Sequence, residues 1–199
     1  MTLSTRDQAE HGVACGQVRA AEAHVADPAT VLVHSLASRL IRMSAEDEAL
    51  TREAIAMPGA AHRRHAVLEA RAAHGQALKV IVGEAGWPTF DDVGEEASTA
   101  ALKVLLHADD LNLQLSCREL IRAAVLAGTV PAIQGAYVED HCAVSQGDRQ
   151  TFGTKINEKL LRPYPIDDPE HVTERRRAVG LPPLGEEITR HLLALRSPQ

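Results

Sequence analysis

The chain has 199 residues, enough for one domain with a substantial core, and a formal net charge of −6 from 21 basic and 27 acidic residues. That acidic balance argues against a nucleic-acid-binding surface, which needs a basic stripe to neutralise phosphates. Hydrophobic residues make up 45% and aromatics only 3%, so the core must be built from Ala, Leu, Val and Ile, a composition of packed helices rather than of a sheet sandwich.

Residues 1–28 are polar and Ala-rich, with one short helical stretch over 17–25 closed by Asp27-Pro28. They read as an arm ahead of a single helical domain over 29–199. The domain opens with a helix over 29–57, where Leu36, Leu40, Met43 and Leu50 recur at helical spacing and Asp47 falls on the same stripe. Pro58-Gly59 ends it. A second helix over 61–85, with Val67, Leu68, Leu78, Ile81 and Val82 on its apolar side, completes an antiparallel hairpin. Gly86 stops this helix, Pro88 follows, and 89–92 reads as a connector around Trp87, the chain's one Trp. A third helix starts near Asp92 or Gly94 and runs to about His107 or Asp109, with Asp91, Asp92, Glu95 and Glu96 at its positive end. A fourth covers 111–127 up to Gly128, and a fifth covers 131–144 with Pro131 in its first turn.

Beyond Gly147 the texture changes. The stretch 150–156 is short, β-prone and bounded by turn residues, and 161–166 is a second extended piece. Joined through Asn157-Glu158-Lys159, they predict a small hairpin. Asp168-Pro169 opens a short helix that ends at Gly180, with Asp168 as its N-cap, and a last helix covers 184–195. The fold class expected is therefore mainly α, an antiparallel helical bundle with a small β-hairpin near the C-terminus.

Cys15, Cys117 and Cys142 are an odd set without CxxC spacing, which argues against a disulfide framework or a zinc ribbon. The first 27 residues lack an apolar signal core, and no stretch approaches the ~20 apolar residues of a membrane span. A cytoplasmic protein with no membrane association is the expectation. The basic run Arg175-Arg176-Arg177, beside Glu170 and Glu174, reads as a solvated helix face.

Several pieces, taken in order and spacing, carry a resemblance. They are Gly86-Trp87-Pro88, Val93-Gly94-Glu95-Glu96, His107-Ala108-Asp109, Gln150-Thr151-Phe152-Gly153-Thr154 and Tyr164-Pro165-Ile166-Asp167-Asp168-Pro169, followed by Arg175-Arg176 and Val179-Gly180-Leu181-Pro182-Pro183-Leu184. Over its last two thirds the chain resembles a bacterial domain-of-unknown-function family, family 6624. The resemblance implies a mostly helical domain with a C-terminal hairpin and brings no known reaction. The chain departs from the pattern in three places. It has Gly153-Thr154-Lys155 where such proteins tend to read Gly-Thr-Gln, Asp140-His141 where they tend to read Asp-Arg, and Leu102 or a neighbour where a Trp often sits.

The residue types themselves point to proton transfer. Glu96, Ala100, Lys103, His107, Asp110 and Gln114 are spaced by four, three, four, three and four, so an unbroken helix puts them on one face. A His flanked by carboxylates, with a Lys one turn back, suits a general acid or base. His107 is the candidate, with Asp109 or Asp140 to orient it; Asp109 equally suits capping of the fourth helix. Gln150 and Thr154 are the substrate-binding candidates, Lys155 the holder of an anionic group, and Gln114, Asp47 and Trp87 complete the set. Gly153 would allow close approach of a ligand to the backbone. Asp47, on an apolar stripe, requires a partner such as Arg42, Arg71 or a His, and His74 is placed to face the same interior. Cys142 beside His141 cannot pair with it on a helix, where neighbours point about 100° apart, and reads as a buried, inert thiol. No HExxH or paired Cys offers a metal site, and His62 and His65 would need carboxylates from elsewhere. No Gly-rich phosphate loop occurs, so neither a nucleotide cofactor nor any other is expected.

These features lead to a cofactor-independent acid/base enzyme acting on a small polar metabolite by hydrolysis, elimination or intramolecular cyclisation, in a biosynthetic setting. The alternative is a non-catalytic protein-interaction module or accessory subunit, and either suits a homo- or hetero-oligomer. An active centre should bury His107 within reach of a carboxylate and of Gln150, whereas a binding module should leave it wet.

Overall fold

The computed structural model describes residues 28–157 and 159–196. The arm expected up to residue 28, its helix, Cys15 and Glu158 thus lie outside the described residues, Pro28 excepted. Among the described residues the chain forms α1 (Pro28–Ala56), α2 (Ala61–Ala85), α3 (Phe90–Val93), α4 (Glu95–His107), α5 (Leu111–Ala127) and α6 (Ala132–Gln146). There follow β1 (Ile156–Asn157), β2 (Arg162–Pro163), a 3-10 turn (Pro169–His171), α7 (Val172–Ala178) and α8 (Leu184–Arg196). The expected mainly helical fold with a C-terminal hairpin is what forms. No described helix is long and apolar enough to cross a membrane.

α4 is the central rod, packed on by α1, α2, α3, α5 and α6. Its composition explains this. Ala97, Ala100 and Ala101 are small enough for neighbouring helices to approach closely, while Leu102, Val104 and Leu105 fill the gaps between them, all buried. Leu40 of α1, Leu78 of α2 and Ile121 of α5 are fully buried in the same core, each worth roughly 1.5–3 kcal/mol relative to exposure. α1 and α2 form the expected antiparallel hairpin. Its rungs step along in opposite order on the two helices: Glu53 with Arg63, Asp47 with Arg71, Glu46 with His74. Gly75 sits where α2 meets the end of α4, and a Cβ there would come within 3.1 Å of the Ala108 Cβ.

Three local readings need correction. The connector over 89–92 contains a helical turn, α3, because Thr89 and Asp92 form a reciprocal capping box: Asp92 N–H donates to the Thr89 hydroxyl and Thr89 N–H to the Asp92 carboxylate. Among the described residues the hairpin is much shorter than the β-prone runs suggested, with only Ile156 opposite Pro163 and Asn157 opposite Arg162, plus a single parallel bridge from Gln150 to Ile166. The amides of Thr151, Phe152 and Thr154 are drawn instead to a carboxylate, which bends that segment away from a strand. Finally, the basic run is not all solvated. Arg176 is fully buried and donates to the Phe152 and Pro182 carbonyls, each at 2.7 Å, and to Glu187. Its position one turn after buried Val172 was the available signal.

Candidate active site

The apolar stripe of α1 buries Asp47 to 4% exposure between Met43 and the α2–α4 interface. A carboxylate there must be paired, and it is paired twice. Arg71 of α2 donates from Nε to Oδ1 at 2.5 Å, and its second guanidinium nitrogen reaches Oδ2 at 3.4 Å and the Thr51 hydroxyl at 3.1 Å. His107, the last residue of α4, places Nδ1 2.6 Å from Asp47 Oδ2. Burial alone would push the Asp47 carboxyl up, but the Arg71 hydrogen bond and the charges of His107 and Arg71 together bring it below the usual carboxylate value. Asp47 is therefore ionised and can only accept. This assigns the imidazole hydrogen to Nδ1, and no described residue hydrogen-bonds Nε2.

The end of α4 is fixed in place. Gln114 is buried and its amide N–H group donates to the carbonyls of Ala108 at 2.6 Å and Leu105 at 3.2 Å, closing the last turn around His107. Asp110 caps α5 through the Leu113 amide at 3.0 Å and holds Lys79 of α2 at 3.1 Å. Beside the pair, Ser44, Asp47, Arg71, His74, Val104 and His107 line a crevice of about 10 Å³, room for one water molecule. Lys103 and Glu48 bridge its edge at 2.6 Å. His74 is 9% exposed, contacts Glu46 through Nε2 at 3.2 Å, and leaves a buried Nδ1 without a partner among the described residues.

On α6, His141 is buried and its imidazole is held down to about 4, by burial first and then by the charges of Lys155 and His107. A neutral ring therefore faces the same electrostatic neighbourhood as His107. Two of the three departures from the resembled pattern, His141 and Lys155, meet here.

The other sequence candidates have different tasks. Asp140 is fully buried and does not orient His107. Its carboxylate accepts from the amides of Thr151, Phe152 and Thr154 at 2.7–2.9 Å and from the Thr154 hydroxyl at 3.0 Å. Thr154 is thereby committed to the loop. Gln150, also fully buried, turns its amide onto Lys155 N–H and the carbonyls of Lys155 and Tyr164, so it holds the loop to β2 rather than presenting itself to a ligand. Arg175 takes the Thr151 carbonyl at 2.9 Å and Arg176 that of Phe152. Gly153 is approached not by a ligand but by Ile166 and Leu184, whose Cδ1 atoms would lie 2.8 and 3.1 Å from an added Cβ. Asp109 is exposed, and the cap of α5 is its neighbour Asp110. Trp87 is a core residue at 4% exposure, its indole N–H without a partner among the described residues. Cys117 and Cys142 are both buried, the first thiol pushed up to about 12 and the second also raised, in each case chiefly by burial. Of the expected constellation, then, His107 meets a carboxylate, but that carboxylate is Asp47. Gln150 is turned elsewhere, and the His107 side chain is 43% exposed.

Sequence reasoning singled out Asp47 and named Arg71 and a His as partners but did not join it to His107. The contact crosses sixty residues between α1 and α4, which no local spacing encodes. The same holds for Ser44, one turn before Asp47 and buried to 7% exposure.

The chain belongs to a family of unknown function (DUF6624), whose model matches residues 34–194. Neither a curated protein nor a solved structure matches it.

Proposed function

We propose that this protein is an enzyme that uses His107 for general acid–base catalysis on a small polar metabolite. The single observation that supports the reading is the 2.6 Å contact between His107 Nδ1 and the buried, ionised Asp47. A carboxylate at that atom fixes the tautomer and ring orientation, leaves the Nε2 lone pair for a substrate proton, and stabilises the imidazolium formed when that proton is taken. Arg71 keeps Asp47 from accepting the proton itself, so the proton stays on the imidazole and is available for return to a leaving group. The 43% exposure of His107 is more than an active centre was expected to leave, and is the wet imidazole expected of an interaction module; it does keep the reacting nitrogen reachable. Neutral His141 nearby adds a polar ring without a competing charge, and Lys155 supplies a positive charge in the same neighbourhood. Hydrolysis, elimination and intramolecular cyclisation all use such a set.

The test is turnover of a polar metabolite extract, followed by mass spectrometry, with wild-type protein and His107→Ala matched by circular dichroism. The reading expects at least one metabolite to be consumed by the wild type and its rate to fall about 10²-fold or more in the variant. Equal consumption by both proteins, or none by the wild type, would leave the interaction-module reading in its place.

A further inference from the structure

Between α1 and α4 runs an open groove of about 470 Å³, within the range of small-molecule sites. It shares Ser44, Glu48 and Lys103 with the His107 crevice, so the two cavities are neighbours separated by the Lys103–Glu48 ion pair. We infer that this groove is the substrate channel of the His107 site and that it selects a cationic, ammonium-bearing molecule. The inference rests on the proposed catalytic role only for what happens at the His107 end; binding in the groove stands by itself.

Charge is the first reason. The groove presents Glu48, Glu95 and Glu96 against one cation, Lys103. Glu48 is taken by Lys103, whereas Glu95 and Glu96 are exposed and make no ion pair with any described residue. A cationic group entering here meets uncompensated carboxylates, and an anion meets repulsion.

The second reason is independent of charge. Ser44 is only 7% exposed, makes no hydrogen bond with any described residue, and lines both cavities. Its hydroxyl is not sealed in the interior but opens onto the groove, where a water or a ligand can satisfy it. Thr99 adds a second polar group. Its oxygen accepts from the Gln134 side chain at 3.4 Å, which leaves its own O–H to donate elsewhere.

The geometry joins the groove to the chemistry. Glu96, Thr99, Lys103 and His107 succeed one another at intervals of three or four residues along α4, hence along one face. At 1.5 Å per residue, Thr99 lies about 12 Å and Glu96 about 16 Å from His107 along the axis. A ligand with its ammonium at Glu95 and Glu96 and its reacting group at His107 is therefore extended along the groove. Lys103 and Glu48 are each about half exposed, at 51%. Such a pair is weak and exchangeable, and an ammonium at Glu48 would displace Lys103 and open the way to the crevice.

The probes are 1,8-diaminooctane, its charge-reversed counterpart suberate, and magnesium ion. Each is titrated into the folded protein by calorimetry and by amide chemical-shift mapping. The diamine should bind saturably and move the amides of Ser44, Thr99 and Lys103, while suberate and magnesium should not bind there. The Glu95→Gln/Glu96→Gln double variant, altered only at exposed positions, should bind the diamine at least tenfold more weakly, and Ser44→Ala severalfold more weakly. Saturable suberate or magnesium binding at these residues, no diamine binding, or unchanged affinity in the double variant would overturn the inference. An unaffected turnover rate in His107→Ala would instead sink the catalytic reading alone.

Discussion

His107 and Asp47, sixty residues apart, meet at 2.6 Å where the end of α4 crosses the middle of α1. The contact makes a buried acid the partner of a reachable base. Arg71, on the third helix of the junction, fixes the charge of that acid.

Asp47→Asn should destabilise the fold. It removes the anion that Arg71 and His107 share and leaves the guanidinium poorly paired. A broken buried pair typically costs about 3–5 kcal/mol; because a quarter of the Arg71 side chain stays in water, about 2–3 kcal/mol is expected here. Urea unfolding at neutral pH measures it, and a loss below the error of the method would mean that Asp47 is not the keystone of this junction.

Acid should weaken the protein in two separate windows. His141 titrates at about 4 when folded, against an ordinary 6.5, so the unfolded chain binds its proton first as pH falls. The stability it contributes is complete above 6.5 and is lost between 6.5 and 4, by roughly 3 kcal/mol in all. Asp47 also has a lowered folded value. Its contribution is complete above its unfolded value near 3.8 and is lost as pH falls below that through the folded one. Thermal unfolding of wild type and His141→Gln across roughly pH 2–7 separates the two. The variant should be flatter between 6.5 and 4, with the slope below 3.8 retained.

The loop after α6 should depend on one carboxylate. Asp140 gathers three amides and a hydroxyl, while Arg175 and Arg176 hold carbonyls of the same segment. Asp140→Ala should cost about 3 kcal/mol or more, since buried donors lose a charged acceptor. Hydrogen exchange at Thr151, Phe152 and Thr154 should speed up well beyond any change in α4. Uniform acceleration over the whole chain would show that the carboxylate does not act locally.

Cys117 and Cys142 should resist alkylation in the folded state. Both are buried, and both thiols are raised by that burial, Cys117 to about 12, so little thiolate exists near neutral pH. Peptide mapping after iodoacetamide treatment should find them unmodified until denaturant is added. Rapid native labelling of Cys142 would contradict its reading as an inert thiol.

The helical framework was legible because its signals are local. Leu40, Met43 and Asp47 fall at helical spacing, Gly86 and Gly128 end helices, and Pro131 precedes one. Asp47 announced itself as a polar residue on an apolar stripe, and Arg71 was a correct guess at its partner. The identity of the acid at His107 was not legible. Asp109 and Asp140 were closer in sequence or in the resembled pattern, yet Asp109 points to solvent and Asp140 is saturated by backbone amides. Gln150 and Thr154 misled for a related reason. Their polar groups suit a ligand and a buried loop equally well, and only the tertiary fold decides which partner arrives. Arg176 shows the converse: a charge in a basic run is buried because two carbonyls and Glu187 satisfy it.

The most direct test of the Asp47–His107 assignment is the tautomer of His107, read from long-range nitrogen–proton NMR correlations on protein with ¹⁵N-labelled imidazoles. The account predicts that neutral His107 carries its hydrogen on Nδ1, with a bare Nε2, and that Asp47→Asn abolishes this preference. A wild-type His107 protonated at Nε2, unchanged by the substitution, would contradict it.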